Sequence, residues 1–189
     1  PPVDESADTY VYDPDDPVPS LGGANLSIPL GVQDQTPTER RQDVLVFTSE
    51  PMQQPMEVTG PIIVHLWATS TAQDTDFTAK LVDVHPDGYA QNLQDGMIRA
   101  RYRNSASEPK LIEPGRVYEY TIDLWATSNV FLPGHRIRLD VSSSNFPRFD
   151  RNPNTGAPFG ADANFRTATQ TIHHRSDFPS HVILPIIPR

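Results

Sequence analysis

The sequence predicts an all-β protein built as a two-sheet sandwich. Twenty prolines against ten glycines, with few long stretches free of either, argue against long helices and for strands joined by shaped loops. Segments that alternate apolar and polar residues recur at short intervals from Val44 onward, with turn residues between them. At 189 residues and 37% hydrophobic content the chain has the size and apolar share of one ordinary domain with a two-layer core.

Residues 1–43 read as a lead-in arm and residues 44–189 as the sandwich, the two together forming a single domain. The arm is rich in Pro, Asp and Gly, and its stretch from Tyr12 to Gly23 cannot sustain a regular helix or a central strand. Its scattered apolar residues, Val11, Tyr12, Val18, Leu21, Leu26, Ile28 and Leu30, predict that it lies along a surface. Strands are then predicted over Val44 to Thr48, Glu57 to Thr69, Asp76 to His85, Ala90 to Leu93, Met97 to Tyr102, Val117 to Thr127 and Arg136 to Ser143. His85-Pro-Asp-Gly88 is a tight hairpin signal after the third of these. In Val117 to Thr127, Tyr118, Tyr120, Ile122, Leu124 and Ala126 share one face, opposite Glu119, Thr121, Asp123 and Trp125. The tail from His181 to Ile187 reads as a closing strand that Pro185 restricts to an edge or bulge. Seven or eight such strands with long connections favour a jelly roll.

The run from Gly134 to Gly156 carries the most information. Pro133 and Gly134 mark a turn, after which Ile137, Leu139 and Val141 alternate with Arg136, Arg138 and Asp140 in the period of a half-buried strand. Ser142, Ser143, Ser144 and Asn145 then offer short polar side chains that bond locally to backbone, so the strand ends near Ser143. The segment from Phe146 to Gly156 is an ordered loop, with prolines that remove backbone donors and aromatics that pin it to the body.

The formal net charge of -9 arises from 24 acidic and 15 basic residues with no basic stripe, which excludes a phosphate-backbone partner. No apolar run reaches the length of a membrane span, and the first residues lack the basic and apolar regions of a signal peptide, so the chain reads as soluble, with a lean toward the cytoplasm. The absence of cysteine excludes disulfides and thiol catalysis. Residue 1 is proline, not methionine, from which a piece of a longer polypeptide is expected.

No catalytic residue, cofactor or metal is expected. A serine hydrolase of the α/β class needs its nucleophile on a Gly-x-Ser-x-Gly elbow, and no serine here has those glycines. Ser142, Ser143 and Ser144 are therefore read as structural. Adjacent His173 and His174 read as an exposed loop pair, and His65 and His135 as hydrogen-bonded residues in or beside strands. Asp150, Asn152 and Asn154 precede Gly156 at alternate positions, but the glycine is displaced from its place in a calcium loop and no glutamate closes the site, so a turn network is expected. Asp74 and Asp76 read as loop and strand-start residues. Trp67 and Trp125 lie within strands, where buried or interface packing is the expected role and stacking on sugars the alternative.

The segments Tyr12 to Gly23, Asp43 to Pro51, Glu57 to Pro61, Asp74 to Val84 and Gly134 to Gly156, in that order, resemble the C-terminal domain of the CocE/NonD hydrolases, the cocaine-esterase and X-prolyl dipeptidyl-peptidase family. The resemblance covers nearly the whole chain. It implies a galactose-binding-domain-like jelly roll that follows an α/β-hydrolase domain and its helical cap, with the serine, aspartate and histidine of the triad all upstream. It implies a noncatalytic role, stabilising the catalytic body and helping to wall its substrate cleft, with those two domains as partners and homo-oligomer contacts left open. The cleft-facing contact is assigned to Gly22, Gly23, Leu26 and Ser27, while Gly22 and Gly23 equally suit a plain backbone turn. The alternative from another class is a carbohydrate-binding sandwich module, since fold alone does not choose between them.

Overall fold

Two antiparallel sheets face each other across an apolar core in the computed structural model, which describes residues 6–26, 29–158 and 160–188. The described strands are β1 (Asp8–Tyr12), β2 (Leu45–Thr48), β3 (Met56–Ser70), β4 (Asp76–Val84), β5 (Ala90–Arg99), β6 (Tyr118–Phe131), β7 (Arg136–Ser142), β8 (Ala168–Ile172), β9 (His181–Ile183) and β10 (Ile186–Ile187). One helical turn, α1 (Thr36–Glu39), lies in the arm, and a 3-10 turn, Ala100–Tyr102, follows β5.

The first sheet is organised on β3. Its one edge pairs with β6, and its other edge takes β8, β9 and β10 in succession, with β1 outside β8. The second sheet has the order β2-β7-β4-β5. Inward residues alternate as the two-residue period requires: Ile62, Val64, Leu66 and Ala68 of β3 and Tyr120, Ile122 and Leu124 of β6 meet Phe77, Ala79 and Leu81 of β4 and Val141 of β7. The Phe77 and Tyr120 rings meet across the sheets with centroids 4.7 Å apart.

The closing tail is interrupted at Pro185, whose carbonyl accepts from the Thr59 amide between the short pairings of β9 and β10. The hairpin at His85 is present: the Gly88 amide donates to the His85 carbonyl and the His85 amide to Tyr89, each at 2.9 Å.

Four features depart from the sequence expectations. The arm contributes β1, whose Tyr10 and Tyr12 enter the main core, while Val11 faces out; Ile28 lies outside the described residues. Leu26 and Leu30 are exposed, not laid on a surface. The segments 90–93 and 97–102 are one strand ending in a 3-10 turn, because Gly96 continues the ladder where β5 passes close to β6. β6 runs on to Phe131 with its faces exchanged after Leu124: a bulge shifts register between Pro61 and Ile63 of β3, Trp125 takes φ 67°, and Phe131 is buried while Ala126 is exposed. Pro61 has no amide to give to the ladder at that point, which suits it to a bulge.

Candidate cleft-facing loop

The loop assigned to the cleft rises from a base where the arm is bolted to the signature run. Pro19 and Phe146 form a parallel bridge, in which the Phe146 amide donates to Val18 at 2.9 Å and the Ser20 amide to Phe146 at 2.7 Å. The Val18 amide donates to Ser144 Oγ, and the Arg148 amide to Ser20 Oγ. A proline-rich arm cannot supply a continuous ladder, so serine oxygens take over the buried amides that would otherwise lack acceptors.

Past this base the chain turns at Gly22 and Gly23 and returns through Gly31, with Gly23 and Gly31 exchanging backbone bonds at 2.8 and 3.0 Å. Gly22 has φ 69°, and a Cβ there would sit 2.4 Å from the Gly31 carbonyl oxygen, so only glycine fits. Asn25 Nδ2 donates to the Gly22 carbonyl at 2.7 Å. The returning limb adds to the edge of β5: Gln35 and Gln33 donate to Ala90 and to Asn92 Oδ1 at 2.9 and 2.7 Å. A sheet edge is thereby covered.

The floor beneath is a buried polar network. Asp95 pairs with Arg148 at 3.2 Å and accepts from Asn145 Nδ2 at 2.7 Å. Gln35 ties two parts together: its Nε2 donates to Leu21, and its Oε1 accepts from Lys80 Nζ at 2.5 Å. Burial pushes the Lys80 amine down and the carboxyl of neighbouring Asp140 up to about 7. Glu39 is also raised by burial, against the pull of its partner Arg138.

Of the four assigned residues, Gly22 is buried and serves the turn, Gly23 is half-buried against Arg148, Leu26 is 96% exposed, and Ser27 lies outside the described residues. Sequence reasoning missed that Leu30 and Val32, on the returning limb, are exposed with Leu26. Their signal was an apolar residue repeated without strand alternation in a Gly- and Asn-containing loop.

The remaining polar candidates sit in the scaffold. Ser142 Oγ donates to the Asp43 carbonyl, Ser143 shares a hydrogen bond with the Tyr10 hydroxyl, and all three serines are buried. His65 bonds Glu119 and His135 bonds Asp83, at 2.8 and 2.9 Å. Asp150 joins Arg99, while Asn152 bridges Asp74 and Asp76 at 2.8 Å each, and its Oδ1 takes the Asn154 amide. Asp74 and Asp76 are fully buried partners of Arg101 and Arg99, more than the loop residues expected from sequence; burial raises the Asp76 carboxyl to about 6 against the pull of Arg99. The exposed pair expected at His173 and His174 is half-buried instead, with His174 held by Asp8 and against Phe47, and His173 against Phe178. Trp67 is half-buried beside Phe178, but Trp125 is 72% exposed on its bulge, which removes burial within this domain and leaves interface packing or stacking on a ligand as its roles.

The fold is a β-sandwich in which Ser142, Ser143, His65 and His135 bond within the scaffold, with Leu26 the most exposed of the described apolar side chains of the arm. The chain belongs to the family described as X-Pro dipeptidyl-peptidase C-terminal non-catalytic domain, which matches residues 1–183. It is similar to cocaine esterase of Rhodococcus sp. (strain MB1 Bresler), 54% identical over 189 residues, covering 98% of this chain and 33% of that protein. Among solved structures it is similar to an aminopeptidase from a marine sediment Thaumarchaeota archaeon, with TM-score 0.90 and 36% identity over 99% of this chain and 34% of that one. It is also similar to an alpha-amino acid ester hydrolase, with TM-score 0.88 and 32% identity over 97% of this chain and 33% of that one. The chain spans about a third of the length of these relatives.

Proposed function

We propose that this chain acts as the noncatalytic C-terminal domain of a serine hydrolase of the ester, amide or X-Pro peptide class. In that setting it braces the hydrolase domain and its helical cap, and the loop around Leu26 lends a wall to the substrate cleft. The observation that carries the reading is Leu26, left 96% exposed at the end of a loop whose base is locked to Phe146, Arg148 and β5. A leucine so presented by a rigid frame is suited to an apolar surface supplied from outside the domain.

The test is Leu26→Asp in the intact hydrolase that contains this segment. A raised KM or lowered kcat with an unchanged thermal midpoint is expected, and unchanged kinetics toward every substrate of the enzyme would remove the loop from the cleft. The isolated chain is expected to hydrolyse neither activated esters nor X-Pro anilides; turnover that copurified with it would sink the noncatalytic reading.

Sugar binding has one observation in its favour, the exposed Trp125 ring. Saturable glycan binding lost in Trp125→Ala would support that second role, and calorimetry against a glycan panel checks it.

A further inference from the structure

We propose that Asp83, His85 and His135 form a site for a divalent metal ion of zinc type at one end of the sandwich. One ligand atom from each of the three lies within 4.8 Å of the others. Asp83 and His85 are two residues apart at the end of β4 and so point to the same side, and His135 arrives from the turn between β6 and β7. His135 joins the other two from a distant part of the sequence, so no ligand spacing announces the set of three.

The surroundings hold each ligand. The His135 amide donates to Leu132 and its carbonyl accepts from Met52, while His85 is fixed by the hairpin bonds already described. Asn129 Nδ2 reaches Asp83 Oδ2 at 3.4 Å, on the oxygen that His135 does not use. The Asp83 side chain is 5% exposed and that of His135 12%, whereas His85 is half-buried on the rim of the hairpin, which gives an ion a way in. The two imidazoles lie with centroids 4.4 Å apart.

Two imidazole nitrogens and one carboxylate oxygen form a donor set for zinc, cobalt or nickel; calcium and magnesium require a cage of oxygens. Ligand distances near 2.0–2.2 Å place donors of a tetrahedron about 3.4 Å apart. The separations here exceed that by at most roughly 1.4 Å, an adjustment within reach of a side-chain rotation at half-buried His85, and an ion bound through His135 Nδ1 and Asp83 Oδ1 would replace the 2.9 Å hydrogen bond between them. Three protein ligands leave a fourth position for water or for a group from a partner domain. The chain's net charge of -9 favours approach of a cation.

The experiment is calorimetric titration of the metal-stripped chain with Zn²⁺, with the visible ligand-field bands of Co²⁺ as a second readout. One equivalent is expected to bind, and His85→Phe and His135→Asn are each expected to weaken binding by about tenfold or more. His181→Asn is expected to leave binding unchanged, since the stacked His65 and His181 rings are a separate histidine pair. No saturable binding, affinity retained in His85→Phe, or affinity lost in His181→Asn would each overturn the proposal. Should His135→Asn fail to fold because Asp83 loses its partner, His85→Phe carries the test, as that change leaves the Asp83 to His135 bond in place.

Discussion

At Trp67 and Trp125 one pentapeptide, Leu-Trp-Ala-Thr-Ser, meets two fates, which shows how far a side chain's role is set by the backbone beneath it. In β3 the strand is regular at Trp67, and its ring settles against Phe178. In β6 Trp125 falls on the bulge, its amide is taken by Asp123 Oδ1 at 2.7 Å, and its ring is turned out. Asp140 presents a different conflict: it is buried near Lys80, yet both carboxylate oxygens lack a hydrogen-bond partner among the described residues. Its carboxyl is pushed up to about 7, against about 3.9 in an unfolded chain. The folded state therefore holds a proton that the unfolded state has released between about pH 4 and pH 7, and stability falls as pH rises through that window. Asp140→Asn is expected to flatten this slope and to stabilise the chain at pH 8 by about 1–2 kcal/mol, the gain being reduced by the attraction to Lys80 that is lost. Asp76 has the same sign, so urea unfolding of both proteins at pH 5 and pH 8 isolates the Asp140 share as a difference between them.

Among the elements, β5 and β6 of the two sheets approach closely at Gly96. A Cβ on Gly96 would lie 2.2 Å from the Asp123 carbonyl oxygen, which is backbone and cannot swing aside. Gly96→Ala is thus expected to cost about 1–3 kcal/mol, read as a lowered urea midpoint with an unchanged slope. Sequence reading divided β5 at this point because glycine in a strand resembles a break, when its function is a close crossing. Strands β3, β4 and β7 were legible because apolar residues recur at alternate positions in Ile62 to Ala68, Phe77 to Leu81 and Ile137 to Val141, even though β4 is in fact buried on both faces. β1 was hidden within Pro- and Asp-rich surroundings. β8 was hidden by composition: Ala168-Thr-Gln-Thr-Ile172 has a fully buried Gln170 at its centre, satisfied in part by Thr75 Oγ1 at 2.8 Å. Of the candidate loop, the turn at Gly22 and Gly23 was legible from its glycines, whereas the exposure of Leu26, Leu30 and Val32 and the Arg148 to Asp95 brace required the fold to bring residues far apart in sequence together.

Over the whole molecule, the arm and the sandwich are bound by what the arm buries. Tyr12 is fully buried and Tyr10 nearly so, both within the core cluster shared by the two sheets, and the Tyr10 hydroxyl meets Ser143 of the signature run. Further on, Gln35 meets Lys80, and Arg41 pairs with Asp43 and Asp16. Removing a single buried aromatic side chain costs about 3–5 kcal/mol, and a domain of this kind has about 5–15 kcal/mol in all. We therefore propose that residues 6–43 fold with the sandwich as one cooperative unit. A chain beginning at residue 44 loses both tyrosines, β1 and the cover over β5 together, and is expected to show no cooperative urea transition. Leu26→Asp, which changes the same arm at an exposed position, is expected to leave the midpoint of the whole chain where it was. A truncated chain that melted cooperatively near the midpoint of the full one would instead make the arm a strap added to a self-sufficient sandwich, and circular dichroism through the transition separates these outcomes.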